Sequence, residues 1–182
     1  DKNLIMTYHP VTLLKNTNQD INEILEALKL FKEYCFIITA PNMDTDHNKI
    51  ISKLKNFVKS KENIYYLKSL GREKYFSLLN LSEGVIGNSS SGIIEVPTFK
   101  KGSINIGERQ KGRIQAKSVL NCKVLKKDIA KSIKKIVSKK FVKDLKKIKN
   151  PYFKKNTENK ILSIIQKTNF SRLIKKPFFD YE

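Results

Sequence analysis

Acidic residues, arginine, cysteine and long apolar runs are all scarce in this 182-residue chain, and each shortage closes off a class of protein. The two cysteines, Cys35 and Cys122, form no CxxC, and the only histidines are His9 and His47, so neither a disulfide framework nor a structural zinc site is expected. No apolar stretch approaches the roughly 18 residues of a membrane span. The opening DKNLIMTYHP also lacks the regions of a secretion signal, and the two together point to a cytoplasmic protein that makes no use of a membrane. Seventeen acids stand against thirty-seven basic residues, a net charge of +20 that first suggests a nucleic-acid partner. Yet only four of the basic residues are arginine, the side chain best suited to reading bases and gripping phosphate with two N–H groups at once.

What is present is lysine, unevenly spread: residues 123–182 carry fourteen of the twenty excess charges. Within that stretch Ile129, Ile133, Ile136 and Val137 recur at helical spacing while lysines fill the other positions. That is the pattern of a solvated helix face, not of a specific nucleic-acid site.

Upstream, short β-branched runs alternate with amphipathic ones. LIMTY (4–8) precedes DINEILEALKLF (20–31), whose Ile21, Ile24, Leu25, Leu28 and Phe31 make one stripe. CFIIT (35–39) precedes a helix over about 47–59, and IYYL (64–67) precedes REKYFSLLN. GVIG leads into SGIIEV, followed by SINIG (103–107), SVLNCKV (118–124) and the lysine-rich helix. An irregular bridge over 146–160 then reaches a last helix at 159–168. Strands alternating with helices at this spacing predict an α/β fold, a doubly wound, Rossmann-like parallel sheet covered on both faces, in a single domain over residues 1–182. In such a sheet the ligand site lies beyond the carboxyl ends of the strands.

The unusual polar clusters fall in those loops: YHPVT, APNMDTD, KSLGRE, GNSSSG and GERQKGR. In GNSSSGIIEV (87–96) the two glycines permit a tight turn, and Ser89, Ser90 and Ser91 bring hydroxyls beside the free amides of a helix start. That reads either as an anion cradle or as a plain serine cap. Glu95 lies one helical turn beyond Ser91, as an acceptor for a diol or as a surface glutamate. Arg109 and Arg113 follow a strand and suit a diphosphate, or are ordinary exposed arginines. His9, at a strand end, is a donor to phosphate or a structural hydrogen-bonder. His47 reads as surface, and Asp44 and Asp46, lacking a third carboxylate, as a loop or helix cap and not a metal site.

Taken together, TYHPVT, PNMDTD and GNSSSGIIEVPTFKKGSINIGERQKGR resemble the C-terminal half of the hydrolysing UDP-N-acetylglucosamine 2-epimerases, the bacterial enzymes that begin sialic-acid synthesis, and their relatives in legionaminic-acid pathways. The resemblance runs over nearly the whole chain. It implies the UDP-binding lobe of a two-lobed, glycosyltransferase-B type fold, with UDP or a UDP-sugar as ligand and no cofactor. It also implies that His9, on the leaving-group side, and Asn42 face the nucleotide-sugar, and that the main chain at Leu70 holds the uracil. Ser89 and Ser90 would take the diphosphate, Glu95 the ribose and Arg109 a nucleotide phosphate, with Arg113 a further substrate contact in the same motif. The family's first lobe, with the acids that move the C2 proton, would be the missing partner, so this chain is expected to bind UDP weakly and not to turn over a sugar nucleotide. The tail over 169–182 is expected to cross back to that lobe, or its Phe178, Phe179 and Tyr181 to pack locally or against a second copy in a homodimer. Two other readings stand beside this one: a related glycosyltransferase lobe, and a non-enzymatic basic module that binds nucleic acid through its lysine-rich end.

Overall fold

The computed structural model describes residues 2–11, 17–59 and 61–173. They fall into two compact units, Asp1–Pro151 and Tyr152–Glu182. The first holds strands β1 (Lys2–Thr7), β2 (Tyr34–Thr39), β3 (Ile64–Leu67), β4 (Gly84–Gly87), β5 (Gly102–Ile106) and β6 (Val119–Cys122). Helices α1 (Thr17–Leu28), α2 (His47–Val58), α3 (Gly71–Leu81) and the single turn α4 (Ser91–Ile94) connect them, and α5 (Lys126–Ile136) and α6 (Lys139–Leu145) follow. In the second unit lie α7 (Thr157–Lys167) and a 3-10 turn at Phe170–Leu173. The tail aromatics Phe178, Phe179 and Tyr181, on which the crossing or dimer expectation rests, lie outside the described residues.

All five strand pairings are parallel, in the order β3-β2-β1-β4-β5-β6. This is the doubly wound sheet that the alternation predicts. Consecutive residues of each strand point to opposite faces, so the apolar runs feed two cores at once. Leu4, Met6, Phe36, Ile38, Ile86 and Ile104 face one side, where they meet Ile21, Ile24 and Leu28 of α1, Ile50 and Leu54 of α2, and Ile129, Ile133 and Ile136 of α5. Ile5 and Val85 face the other side and meet Leu79 of α3 and Val96.

The lysine-rich stretch is not one continuous helix. α5 ends at Ile136 with Val137 as its C-cap, Ser138 turns to extended backbone, and its hydroxyl accepts the Phe141 N–H to cap α6. Apolar spacing hides the break because both helices keep a buried stripe across it.

Candidate functional site

The strands end in one row. Leu67, Thr39, Thr7, Gly87 and Asn105 are paired in register across β3, β2, β1, β4 and β5, so the loops that follow leave the sheet side by side. Chain order reverses between β1 and β4, and the crevice above that switch point is where such sheets hold ligands. Gly87 makes the crevice narrow. With φ at 136° it turns so tightly against β1 that a Cβ would sit 1.8 Å from the Thr7 carbonyl oxygen.

The residue after it, Asn88, is fully buried and joins three loops. Its carboxamide pairs reciprocally with the main chain of His9, taking the His9 N–H at 2.7 Å and giving Nδ2–H to the His9 carbonyl at 2.8 Å. Its own N–H donates to Thr7 O at 3.2 Å. Its carbonyl accepts from Gln110 Nε2 at 2.8 Å and from Arg109 Nη1 at 3.2 Å. The loops after β1, β4 and β5 are thereby fixed to one another.

His9 is nearly enclosed, with 6% of the residue's surface exposed. Its Nδ1 accepts the Asn42 N–H at 2.9 Å. A neutral imidazole carries one N–H, so this bond places the proton on Nε2. Burial, with the Arg109 charge adding and Asp44 opposing, brings the His9 pKa down to about 4. At neutral pH the ring is therefore an uncharged donor through Nε2.

The serine turn is built differently from a serine cap. α4 has only four residues, and Ser90 stands at its N-cap with no side-chain cap bond. Ser91, the first helical residue, instead pairs its hydroxyl with Tyr75 Oη at 2.7 Å, while the Ser89 hydroxyl accepts the Ser91 N–H at 3.4 Å. Burial, with the nearby Glu95 adding and the Ser91 bond opposing, raises the Tyr75 pKa, so the phenol stays protonated. Glu95 is half-buried, and its Oε2 is buried with no hydrogen-bond partner among the described residues. A buried carboxylate oxygen without a donor costs free energy, which a hydroxyl donor brought to it would relieve.

His9, Asn42, Leu70 and Ser89 line one cleft of about 320 Å³. Ser90, half-buried beside Ser89, does not line it, nor do Glu95 and Arg109, although Arg109 bonds the Asn88 carbonyl and its charge acts on His9. Arg113 is not brought in: it is exposed, and no described hydrogen bond or ion pair joins its side chain to the cleft. Its N–H closes a turn onto Gln110 O at 3.3 Å. The cleft also takes in residues to which the motifs assign no individual role, chiefly Thr7, Thr39, Lys68, Arg72 and Tyr75. Thr7 and Thr39 share a hydrogen bond of 2.6 Å, and their one visible signal was that β1 and β2 both end in threonine.

Near the cleft, Asp46 pairs with Lys49 at 2.7 Å, and His47 is half-buried with Nδ1 on the Asp44 carbonyl at 2.8 Å. Among the described residues no group of three or more His, Cys, Asp or Glu side chains is placed to hold a metal. Two larger grooves, of about 780 and 720 Å³, lie elsewhere, one along α1 and α5 and one beside α6, each lined by lysines and apolar side chains.

The family model described as UDP-N-acetylglucosamine 2-epimerase matches residues 1–166. This chain belongs to that family. It is 38% identical over 179 residues to the polysialic acid biosynthesis protein P7 of Escherichia coli, covering 97% of this chain and 45% of the relative. It is also 38% identical over 184 residues to the GDP/UDP-N,N'-diacetylbacillosamine 2-epimerase (hydrolyzing) of Campylobacter jejuni, covering 99% of this chain and 47% of the relative. The chain thus spans about half the length of the curated relatives it matches. Among solved structures, S. aureus MnaA with UDP shares the fold with a TM-score of 0.71 at 16% identity, over 100% of this chain and 48% of that one. The Methanocaldococcus jannaschii UDP-GlcNAc 2-epimerase with UDP-GlcNAc and UDP does so with a TM-score of 0.71 at 18% identity, over 91% and 45%. Family membership and the Rossmann-like lobe therefore agree with what the motifs imply. No helix among the described residues is long and apolar enough to cross a membrane.

Proposed function

We propose that this chain is the nucleotide-holding half of a hydrolysing UDP-sugar 2-epimerase, and that the cleft between β1 and β4 grips the diphosphate of a departing UDP. The observation that supports the reading is the junction at Asn88, which ties the loops carrying His9, the serine turn and Arg109 to one another. Their chemistry is donor-rich: a neutral imidazole N–H, serine hydroxyls and a guanidinium. Ser89 and Ser90 would bind the diphosphate, Arg109 a phosphate and the Glu95 carboxylate, whose Oε2 has no partner among the described residues, the ribose hydroxyls once it is turned out to them. Asn42 and Leu70 line the same cleft and would face the sugar nucleotide and the base.

The reaction proposed is an elimination followed by a hydration. A base removes the C2 proton of the sugar as the C1–O bond breaks, and the bonding electrons leave on UDP to give a glycal. Water then adds its hydroxyl at C1 and a proton at C2 from the opposite face, releasing the free 2-epimeric sugar. Negative charge grows on the diphosphate as the bond breaks, so donors already aimed there stabilise the transition state more than the ground state. Removal of one such donor costs about 3 kcal/mol of barrier in comparable sites. The sugar is proposed to be a 2-acetamido hexose, either N-acetylglucosamine or its diacetylated 6-deoxy analogue, the latter being the class named for the Campylobacter relative. Because the chain spans about half of its relatives, the proposal assigns nucleotide binding to this half and sugar turnover to the two halves together.

Calorimetric titration with UDP, UMP and UDP-N-acetylglucosamine tests the site. The chain should bind UDP, and Ser89→Ala and Arg109→Ala should each weaken it by about tenfold, the value of one hydrogen bond to a charged group. Equal affinity in all three proteins would remove the proposed cleft. Release of a free 2-epimeric sugar by the 182-residue chain alone would overturn the division of labour.

A further inference from the structure

Gln110 is among the least exposed polar residues of those described, at 2%, and does not line the cleft. Its Nε2 makes the shorter of the two bonds to the Asn88 carbonyl, while its Oε1 is buried with no partner among the described residues. An amide kept only for packing would be better replaced by an apolar side chain of similar volume, because the orphan oxygen costs stability and returns none. The other lone pair of the same carbonyl takes Arg109.

We propose that Gln110 is a positioning residue, which by sharing the Asn88 carbonyl keeps the Arg109 guanidinium turned toward the anion that His9 and the serine turn also face. The proposal rests on the nucleotide reading of the cleft. A carbonyl oxygen accepts two donors. With Gln110 in place, Arg109 holds the remaining direction at 3.2 Å, a loose contact that leaves the rest of its five N–H groups for a ligand. Without it, Arg109 is the only described side-chain donor to a buried carbonyl, and the guanidinium is drawn down onto it and away from the cleft mouth. Asn88 is the second part of the device. Its carboxamide holds the His9 main chain, so the carbonyl that orients Arg109 and the clamp that orients His9 belong to one immobile residue.

The test replaces Gln110 with methionine, and separately with leucine, in the 182-residue chain. Affinity for UDP should fall by about tenfold in both, since a charge-assisted contact is lost, while affinity for uridine, which has no phosphate, should change less than about twofold. Thermal unfolding should be unchanged or move upward, because the orphan oxygen is gone. In the free chain, the imidazole 15N signals of His9 should report the Nε2–H form in every variant. The pH at which that ring protonates should rise in both substitutions as Arg109 moves off; Asp44, the other charged group acting on the ring, is unaltered. Equal losses for UDP and uridine, or no loss for UDP, would overturn the proposal, as would failure of both variants to fold, which would make Gln110 structural. If the unsubstituted chain binds no UDP, the nucleotide reading falls, and an unmoved His9 titration then removes the positioning role as well.

Discussion

At the scale of single residues, His9 links burial to pH. Its ring protonates at about 4 in the folded chain and near 6.5 when unfolded. The unfolded state therefore takes up the proton first as pH falls. Stability tied to His9 is complete above about pH 6.5 and is lost progressively toward pH 4, by roughly 3 kcal/mol in all for a shift of that size. Urea unfolding of the unsubstituted chain and of His9→Asn, at pH 7 and pH 4.5, checks this. Asparagine keeps an acceptor for the Asn42 N–H and cannot titrate in this range, so the gap between the two pH values should shrink in the variant. Asp20, whose carboxyl burial raises, shifts in the opposite sense but is common to both proteins and cancels. A gap that stays the same would place the pH sensitivity elsewhere.

At the scale of elements, α5 sits close to the sheet because β4 and β5 both begin with glycine. A Cβ at Gly102 would lie 2.6 Å from Ile136 Cγ1 and 2.8 Å from Phe141 Cε1. Gly102→Ala should therefore cost about 1–3 kcal/mol, the range for forcing a methyl into a packed core, read as a lower denaturation midpoint with an unchanged slope. Removing the struck atom in the double variant Gly102→Ala with Ile136→Ala should cost less than the sum of the two single variants, and an additive result would show that Ile136 is not what the methyl strikes. The order and type of these elements were legible in the chain because strands buried on both faces must be apolar throughout and helices must repeat near 3.6 residues. The break at Ser138 was not legible, since Ile136 and Phe141 keep the stripe apolar across it. Site residues divide by the same physics. Ser89, His9 and Arg109 announced themselves because they sit in loops where packing gives no reason for their chemistry. Tyr75, Asn88 and Gln110 did not, because their partners lie 16, 79 and 22 positions away and only the fold brings them together. Arg113 shows the converse, a loop arginine in a suggestive motif whose side chain has no described bond into the cleft.

At the scale of the whole molecule, the charge of +20 and the cleft act through different physics. No lysine of α5 or α6 lines the cleft, so these charges reach an anionic ligand through their summed field and not through contact. Such a field gathers anions toward the surface and is screened within about 8 Å at physiological ionic strength, whereas hydrogen bonds inside the cleft are not. The two contributions separate in the kinetics of UDP binding. Raising salt from low to several hundred millimolar should slow association by several-fold and leave dissociation nearly unchanged. Arg109→Ala and Ser89→Ala should mainly speed dissociation. Binding to duplex DNA, if the lysines support any, should fall away steeply over the same salt range, because it draws only on counterion release. Stopped-flow traces in which salt quickens UDP release as strongly as Arg109→Ala does would mean that the grip itself is a diffuse lysine field, and the rim organised around Asn88 would then hold no phosphate.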